Sequence, residues 1–457
     1  MAEISAKKRV WGWMMFDWAS QPYNTLLLTF IFGPYFAEIV TDMMIADGMG
    51  EELAKAKAQA YWGWGLTVTG LIIAVTAPVL GAFADSSGHR MAWIKVFSVF
   101  YIVGSFGLWW TAPDSFSILW ALILFGIGFI GMEFTIIFTN SMLPSLVPRE
   151  ETGRVSGSGY ALGYWGGVLA LAIMLPLFVE NANGVTLLGK GPILGLDAAM
   201  REGTRFVGPF TALWFIIGMI PFFLWVREKP ADVQIEGTTK DALRGLWETL
   251  KSLPKRVSLF SFLSSSLFYR DALNGLYSFG AIYAKGVLGW SITFIGIFGV
   301  VSAITAAIFA YIGGKLDHKY GPKPILTGTI IALITVCIIV VSMTRASLFG
   351  FTFAVDSNTP DIIFFICGGV IGAAGGMLQA SSRTMMVRHA DPERPTEAFG
   401  LYALSGKATA FLAPGLIALV SEISGNQRIG ITPLIFLFAV SLILLLWVKP
   451  EGEHKVS

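Results

Sequence analysis

The sequence predicts an all-α membrane protein with twelve transmembrane helices in two pseudo-symmetric bundles of six. Three observations predict this fold. The composition is strongly apolar, hydrophobic runs recur along the whole chain, and two short motifs repeat at equivalent places in its two halves. Of the 457 residues, 54% are hydrophobic and only 14% are charged. Soluble domains carry about a quarter charged residues, so the chain is not an ordinary soluble protein.

The hydrophobic runs are predicted to be helices, because they are too long for tilted barrel strands and do not alternate strictly. About 20 apolar residues cross the ~30 Å hydrocarbon core of a bilayer. The predicted spans lie near residues 10–38, 60–82, 92–112, 117–140, 157–179, 206–226, 258–284, 291–314, 324–344, 361–384, 398–421 and 431–448.

An even number of spans places both termini on one side of the membrane. Most of the 32 Lys and Arg residues lie in the termini and in the connections on that same side. Because cytoplasmic loops carry the excess of basic residues, both termini are predicted to be cytoplasmic.

The longest cytoplasmic connection divides the chain. It predicts an N-terminal bundle at 1–226, a linker at 227–257 and a C-terminal bundle at 258–457. Apolar side chains recur at helical spacing within the linker and predict an interfacial helix there. They are Leu243, Leu246, Trp247 and Leu250.

A glycine-rich motif with a central aspartate follows both the second and the eighth predicted span. The first copy contains Gly81, Asp85, Gly88 and Arg90, and the second contains Gly313, Asp317, Gly321 and Lys323. Glycine allows close helix approach and sharp turns. An aspartate there can face a helix N-terminus or an arginine of the other half, and so latch one conformation. A plain tight turn is the alternative, which the repetition disfavours.

A second repeat supports the two-bundle prediction. The tripeptide Tyr-Ala-Leu begins at Tyr160 in the fifth predicted span and at Tyr402 in the eleventh. Both repeats fall at equivalent topological places, as expected of two parallel six-helix repeats.

Charged and amide side chains lie inside the predicted spans, where a charge costs about 2.5–3.5 kcal/mol on insertion scales. The candidate substrate and coupling residues are Asp17, Gln21, Asn24, Glu133, Asn140, Arg270, Asp271, Asn274, Gln379, Arg383 and Lys407. Lipid cannot satisfy these groups, so we expect them to face a water-filled path.

Two uses of these charges remain open. A zwitterionic solute would place its carboxylate at the basic groups and its ammonium at the acids. Alternatively, a buried carboxylate would carry a proton across, and Glu133 and Asp271 are the preferred carriers. Each charge also has a structural alternative. Asp17 and Arg383 could form an ion pair or contact headgroups, and Arg270 or Asp271 could link to a neighbouring helix. Lys407 could extend its amine to the membrane interface.

The first glycine motif resembles the signature loop of the major facilitator superfamily, Gly-x-x-x-Asp-x-x-Gly-x-Arg. Ser86 departs from it, since a basic residue is usual there, and the second copy is one residue longer. Several segments resemble the branch of autophagy-related vacuolar amino-acid effluxers, which includes the bacterial unknown-major-facilitator family. They are Trp13–Ser20, Asn140–Pro144, Gly153–Gly157, Arg383 and Phe399–Thr409. The resemblance implies the twelve-helix fold, a central cavity lined by helices 1, 4, 7 and 10, and secondary transport, with amino-acid efflux as its looser implication.

The predicted function is therefore secondary active transport of a small polar solute, with amino acids as the leading substrate and protons as a candidate coupling ion. Another solute class (sugar, peptide or drug), or a receptor or channel, is the alternative. An enzyme is not predicted, because all four histidines lie in connections or the tail and no catalytic motif is present. We predict no cofactor and no metal. The predicted partners are the bilayer and the small solute, without nucleic acid. A monomer in a bacterial inner membrane is expected.

Overall fold

The computed structural model describes residues 4–181, 183–228, 239–290, 292–354, 357–407, 412–426 and 428–453. Its α-helices are numbered here in chain order. The first nine are α1 (Ala6–Pro22), α2 (Phe32–Ala46), α3 (Glu51–Ser87), α4 (Arg90–Gly107), α5 (Ile118–Ser141), α6 (Leu143–Leu146), α7 (Thr152–Leu177), α8 (Glu202–Arg205) and α9 (Val207–Trp225).

The remaining helices are α10 (Thr239–Ser252), α11 (Val257–Gly286), α12 (Ile292–Tyr320), α13 (Pro322–Ser342), α14 (Thr359–His389), α15 (Pro395–Lys407), α16 (Leu412–Ser424) and α17 (Thr432–Leu445). A two-stranded antiparallel hairpin joins α13 to α14, with β1 at Ser347–Leu348 and β2 at Phe351–Thr352. Short 3₁₀ turns lie at Leu108–Trp110, Pro113–Ser115, Arg149–Glu151, Ile193–Gly195, Leu253–Lys255 and Ile429–Ile431.

Among the described residues, each predicted span overlaps helix, and residues 408–411 of the eleventh span lie outside that part of the chain. Within the described residues, ten helical segments are long and apolar enough to cross a membrane. The seventh predicted span corresponds to α11, which carries Arg270 and Asp271, and the twelfth to the shorter apolar segment Ile429–Leu445. The prediction of an all-α membrane protein is confirmed.

The first predicted span is less regular than expected. Pro22 ends α1, and the chain continues as a π-helical segment, Tyr23–Phe30, before α2 begins. Proline has no N–H for the helical ladder, so the backbone hydrogen bonds shift at this point. The hydroxyl of Tyr23 donates to the carbonyl of Phe125 at 2.5 Å and ties the irregular segment to α5.

The linker between the predicted bundles contains a helix, and its placement at the membrane interface stays a prediction. The helix is α10, with Leu246 buried and Trp247 exposed. The amine of Lys251 lies 5.2 Å from the centre of the Trp247 ring. Residues 229–238 of the linker lie outside the described part of the chain, as do the side chains of 239–243, including Leu243.

Contacts divide the chain into two compact units. The first unit comprises residues 1–76, 87–139 and 162–234, and the second comprises 77–86, 140–161 and 235–457. This grouping follows contacts, whereas the boundaries 1–226, 227–257 and 258–457 follow the repeats and stay a prediction.

In the first unit, α9 packs against α1 and α4 around an aromatic core. Tyr101 and Phe215 stack with their ring centres 3.9 Å apart. The connection before α9 is held by buried Glu180, which accepts from the backbone N–H of Thr204 at 3.1 Å and pairs with Arg201 at 3.2 Å. In the second unit, α14 packs against both α12 and α13.

Candidate functional site

Asp85 caps the amino end of α15. Its carboxylate accepts the backbone N–H groups of Thr396 at 3.2 Å and Glu397 at 2.7 Å. These are the second and third residues of α15, so their N–H groups have no partner within the helix and carry partial positive charge. Asp85 is 9% exposed. The carboxylate therefore completes hydrogen bonds that α15 cannot make for itself.

The helices of this contact approach closely because glycine lies on both. A Cβ added to Gly81 would lie 2.6 Å from the carbonyl oxygen of Thr396, and one added to Gly400 would lie 2.6 Å from that of Ala77. The Thr396 hydroxyl also donates to Ser141 Oγ at 3.0 Å. We call Gly81, Asp85, Ser141, Thr396 and Glu397 the Asp85 cluster.

The other two residues of the first motif belong to the first unit. Gly88 has a φ of +65°, which an L side chain rarely adopts, and follows the last residue of α3. The backbone N–H of Arg90, the first residue of α4, donates to the Glu228 carboxylate at 2.8 Å, and that of Met91 donates at 3.0 Å. Glu228 is thus a second carboxylate that caps a helix, and the sequence analysis had not selected it.

The aspartate of the second motif, Asp317, contacts the amino end of another helix. Asp317 is fully buried, and its carboxylate packs against Gly153, the second residue of α7. The same pair of helices meets through Gly314 and Gly157. Both predicted latch aspartates therefore face the amino ends of the helices that carry the Tyr-Ala-Leu repeats.

The other residues of the second motif have separate contacts. Gly313 packs against Met377 of α14. Gly321, with a φ of +82°, forms the turn between α12 and α13. Lys323 donates to the carbonyl oxygen of Val448 at 2.8 Å, just beyond the end of α17. Because cations are favoured at helix C-termini, Lys323 is held as a helix cap rather than beside Asp317.

Arg383 is buried and hydrogen-bonded to polar groups of two other helices, α5 and α7. Its Nε donates to Ser156 Oγ at 2.9 Å and its Nη2 to the Ser156 carbonyl at 2.7 Å. Its Nη1 donates to Asn140 Oδ1 at 3.2 Å. The guanidinium also lies 4.2 Å from the centre of the Tyr160 ring. We call Asn140, Ser156, Tyr160 and Arg383 the Arg383 cluster.

The second Tyr-Ala-Leu repeat makes the matching contact. The Arg270 guanidinium lies 4.4 Å from the centre of the Tyr402 ring and donates to the Tyr402 carbonyl at 2.9 Å. A planar guanidinium suits such stacking on an aromatic face. In each Tyr-Ala-Leu repeat, therefore, the tyrosine ring lies against an arginine guanidinium. Tyr160 contacts buried Arg383, and Tyr402 contacts half-buried Arg270.

Asp271 contacts a different part of the eleventh predicted span from the part that Arg270 contacts. Its Oδ2 accepts the N–H of Ala413, the second residue of α16, at 2.8 Å. The side chain is 1% exposed, and its Oδ1 has no hydrogen-bond partner among the described residues. Arg270 thus contacts α15 whereas Asp271 contacts α16, and Lys407, the last residue of α15, is half-buried.

The remaining predicted residues are less enclosed. Asp17, Gln21, Asn24 and Glu133 are all half-buried in the first unit. Gly163 and Gly167 of α7 contact the same side of α1 as Asp17 and Gln21. In the second unit Gln379 is half-buried and Asn274 is exposed. The structure thus brings Asn140 together with Arg383, as well as placing Asp85 at α15.

Sequence reasoning missed several partners. Thr396 and Ser382 are small hydroxyl residues without a signal of their own. Ser156 was marked only as part of the family-like segment Gly153–Gly157, and Tyr160 and Tyr402 were marked by the repeat. Ser382 bonds to the hydroxyls of both Tyr269 and Tyr402, the latter at 2.6 Å. Such hydroxyls are common in membrane helices, so only the tertiary contact distinguishes them.

The C-terminal segment was also missed. Glu451 pairs with Arg388 at 2.6 Å and with Arg149 at 3.2 Å. Glu453 accepts the backbone N–H of Ser258, the second residue of α11, at 2.6 Å. Residues beyond the last span therefore tie together the ends of several helices of the second unit.

The fold matches solved transporters over nearly its whole length. The proton:xylose symporter XylE gives a TM-score of 0.70 at 12% identity and covers 98% of each chain. The E. coli fucose:proton symporter FucP gives 0.70 at 14% identity, with 97% of this chain and 98% of that chain covered. Identities this low show the fold alone, which is that of the major facilitator superfamily.

Sequence relatives indicate the family of transporters more specifically than the fold does. A Bacillus subtilis protein described as the uncharacterized MFS-type transporter YxiO is 25% identical over 98% of this chain and 96% of its own length. Autophagy-related protein 22-2 of Aspergillus fumigatus is 23% identical over 64% of this chain and 48% of its own length. The chain thus matches about half the length of that fungal relative.

A family model described as "Vacuole effluxer Atg22 like" matches residues 5–455. With these relatives and this fold, the chain is an integral membrane transporter of the major facilitator type and belongs to the Atg22-like family.

Proposed function

We propose that this protein is a secondary active transporter that moves amino acids by alternating access, in the efflux direction and coupled to protons. The observation that carries the proposal is the placement of acids and bases within apolar helices of a major facilitator fold. Asp271 supports it most directly, because a buried carboxylate with one unbonded oxygen can accept an ammonium group or a proton. The family description supports efflux.

In this mechanism, the Asp85 cluster and the Arg383 cluster act as the gate. Both join segments of the first predicted bundle, residues 77–86 and 140–161, to α14 and α15 of the second. Alternating access requires contacts that form in one state and break in the other. Helix caps and hydrogen bonds to a buried guanidinium are suited to this role, because water replaces them when the contact opens.

Gradient-driven uptake in proteoliposomes tests the function. Purified protein is reconstituted, an inside-acidic or inside-alkaline pH gradient is imposed, and labelled amino acids, dipeptides and sugars are offered in turn. We expect saturable amino-acid flux that depends on the direction of the gradient. Saturable sugar or dipeptide flux without amino-acid flux would contradict the substrate assignment, and single-channel currents would contradict the mechanism.

Neutralising the candidate coupling acids should uncouple transport. Glu133→Gln and Asp271→Asn remove the proton-binding groups while keeping nearly the same side-chain shape. We expect gradient-driven accumulation to be lost, while exchange of labelled for unlabelled solute continues, because exchange needs no net proton movement. Asp114→Asn is the matched control, since Asp114 lies in the short turn Pro113–Ser115 outside the apolar segments. Full accumulation in both variants would refute their coupling role.

A further inference from the structure

An apolar groove opens on the surface of the second unit. It has a volume of about 450 Å³ and is lined only by residues of α12, α13 and α14. Both α12 and α13 pack mainly on α14 and much less on each other. The groove therefore runs between α12 and α13, with α14 as its floor. Phe309 and Ile366, which line it, are 38% and 61% exposed.

Small residues keep the groove open. A Cβ added to Gly328 of α13 would meet no other atom within 4 Å. One added to Gly369 of α14 would meet only a methyl of Thr305, at 3.8 Å. The lining is otherwise apolar, apart from two threonines. Its chemistry suits a hydrocarbon chain.

The groove ends at a cationic turn. Pro324, one of the lining residues, lies three positions beyond Gly321, which forms the tight turn between α12 and α13. Lys315 and Lys319 are exposed on the last turns of α12, and neither forms an ion pair among the described residues. Their amines lie 4.4 Å and 4.9 Å from the ring centres of Tyr311 and Tyr320.

We propose that this groove binds an anionic phospholipid, with one acyl chain along α12 and α13 and the phosphate at Lys315 and Lys319. Exposed tyrosines mark the headgroup level of a bilayer, and basic pockets between helices on the cytoplasmic side recognise anionic headgroups. The sequence predicts that this turn is cytoplasmic. A second copy of the chain is the poorer occupant, because a two-fold contact here would bring like-charged lysines together.

Native mass spectrometry of the full-length protein in detergent tests the site, with dioleoyl phosphatidylglycerol and dioleoyl phosphatidylcholine as probes. Each lysine near an anionic headgroup contributes about fivefold, so we expect phosphatidylglycerol to be retained roughly 30-fold better than phosphatidylcholine. The double variant Lys315→Gln/Lys319→Gln should remove this preference, and Lys315→Arg/Lys319→Arg should keep it. Equal retention of the two lipids by the wild-type protein would overturn the proposal.

A variant that fills the groove provides a second test of the lipid site. Gly328→Leu/Gly369→Leu occupies the open space without a Cβ clash, so it should fold and should lower retention of both lipids. Gly70→Leu is the matched control, because that glycine also has no neighbour within 4 Å of an added Cβ but lies on α3. Unchanged phosphatidylglycerol retention in the filled variant would overturn the site. So would a wild-type dimer that becomes a monomer when the groove is filled.

Discussion

Replacing Arg383 with alanine is expected to abolish transport. The guanidinium makes three hydrogen bonds to Ser156 and Asn140 and is 1% exposed. Hydrogen bonds to a charged group contribute about 1.5–3 kcal/mol each, and their loss leaves buried acceptors unsatisfied. If these bonds hold the gate shut, the Arg383→Ala protein should open at this end and stay open.

A cysteine reporter distinguishes an open gate from a misfolded protein. Ser381 lies on α14 near Arg383 and is fully buried. In a background in which Cys337 and Cys367 are replaced by alanine, Ser381→Cys should resist maleimide until Arg383→Ala is added. Arg383→Lys keeps the charge but cannot reproduce the forked geometry, so we expect intermediate flux and labelling. Wild-type flux with a protected reporter in Arg383→Ala would rule out the gate role.

A side chain at Gly81 is expected to hold the α3–α15 contact apart. A Cβ there would lie 2.6 Å from the carbonyl oxygen of Thr396, which is a backbone atom and cannot turn away. Real Cβ atoms do not approach so closely, so Gly81→Val must separate the helices and weaken the hydrogen bonds from Thr396 and Glu397 to Asp85. We expect transport to fall to background and the Ser381→Cys reporter to become labelled.

The control for this variant lies on the same helix. Gly70 is also in α3, and a Cβ there would meet nothing within 4 Å. Gly70→Val therefore introduces the same change in helix propensity without the clash and should transport normally. Equal loss of transport in Gly70→Val and Gly81→Val would show that the defect lies in α3 itself rather than in its contact with α15.

The sequence was sufficient for the fold class because apolar runs and their spacing do not depend on tertiary contacts. The kind of contact made by Asp85 was also predictable, since glycine and aspartate in that order point to a close helix approach and a helix cap. The repeated motif at Asp317 pointed to the same kind of contact at a second helix. The partners were not predictable: Thr396 lies more than 300 residues from Asp85.

Other features depended on packing that periodicity does not report. The sequence predicts that Arg383 faces a water-filled path, which stays a prediction, but it does not report the packing of Arg383 against Ser156 and Tyr160. The π-helical segment after Pro22 had a visible signal in the proline itself. The role of Glu451 had no sequence signal, because a charged residue beyond the last span looks like part of a solvated tail. Only the structure places Arg149 and Arg388 beside it.

Cross-linking the Asp85 cluster tests whether this contact must open in every transport cycle, as the proposed gate requires. The hydroxyl oxygens of Ser141 and Thr396 are 3.0 Å apart, a separation that a disulfide between cysteines at these positions can bridge. The double variant Ser141→Cys/Thr396→Cys, with Cys337 and Cys367 replaced by alanine, should transport when reduced. It should stop when oxidised and recover on reduction. Undiminished flux in fully cross-linked protein would show that the Asp85 contact need not open for transport.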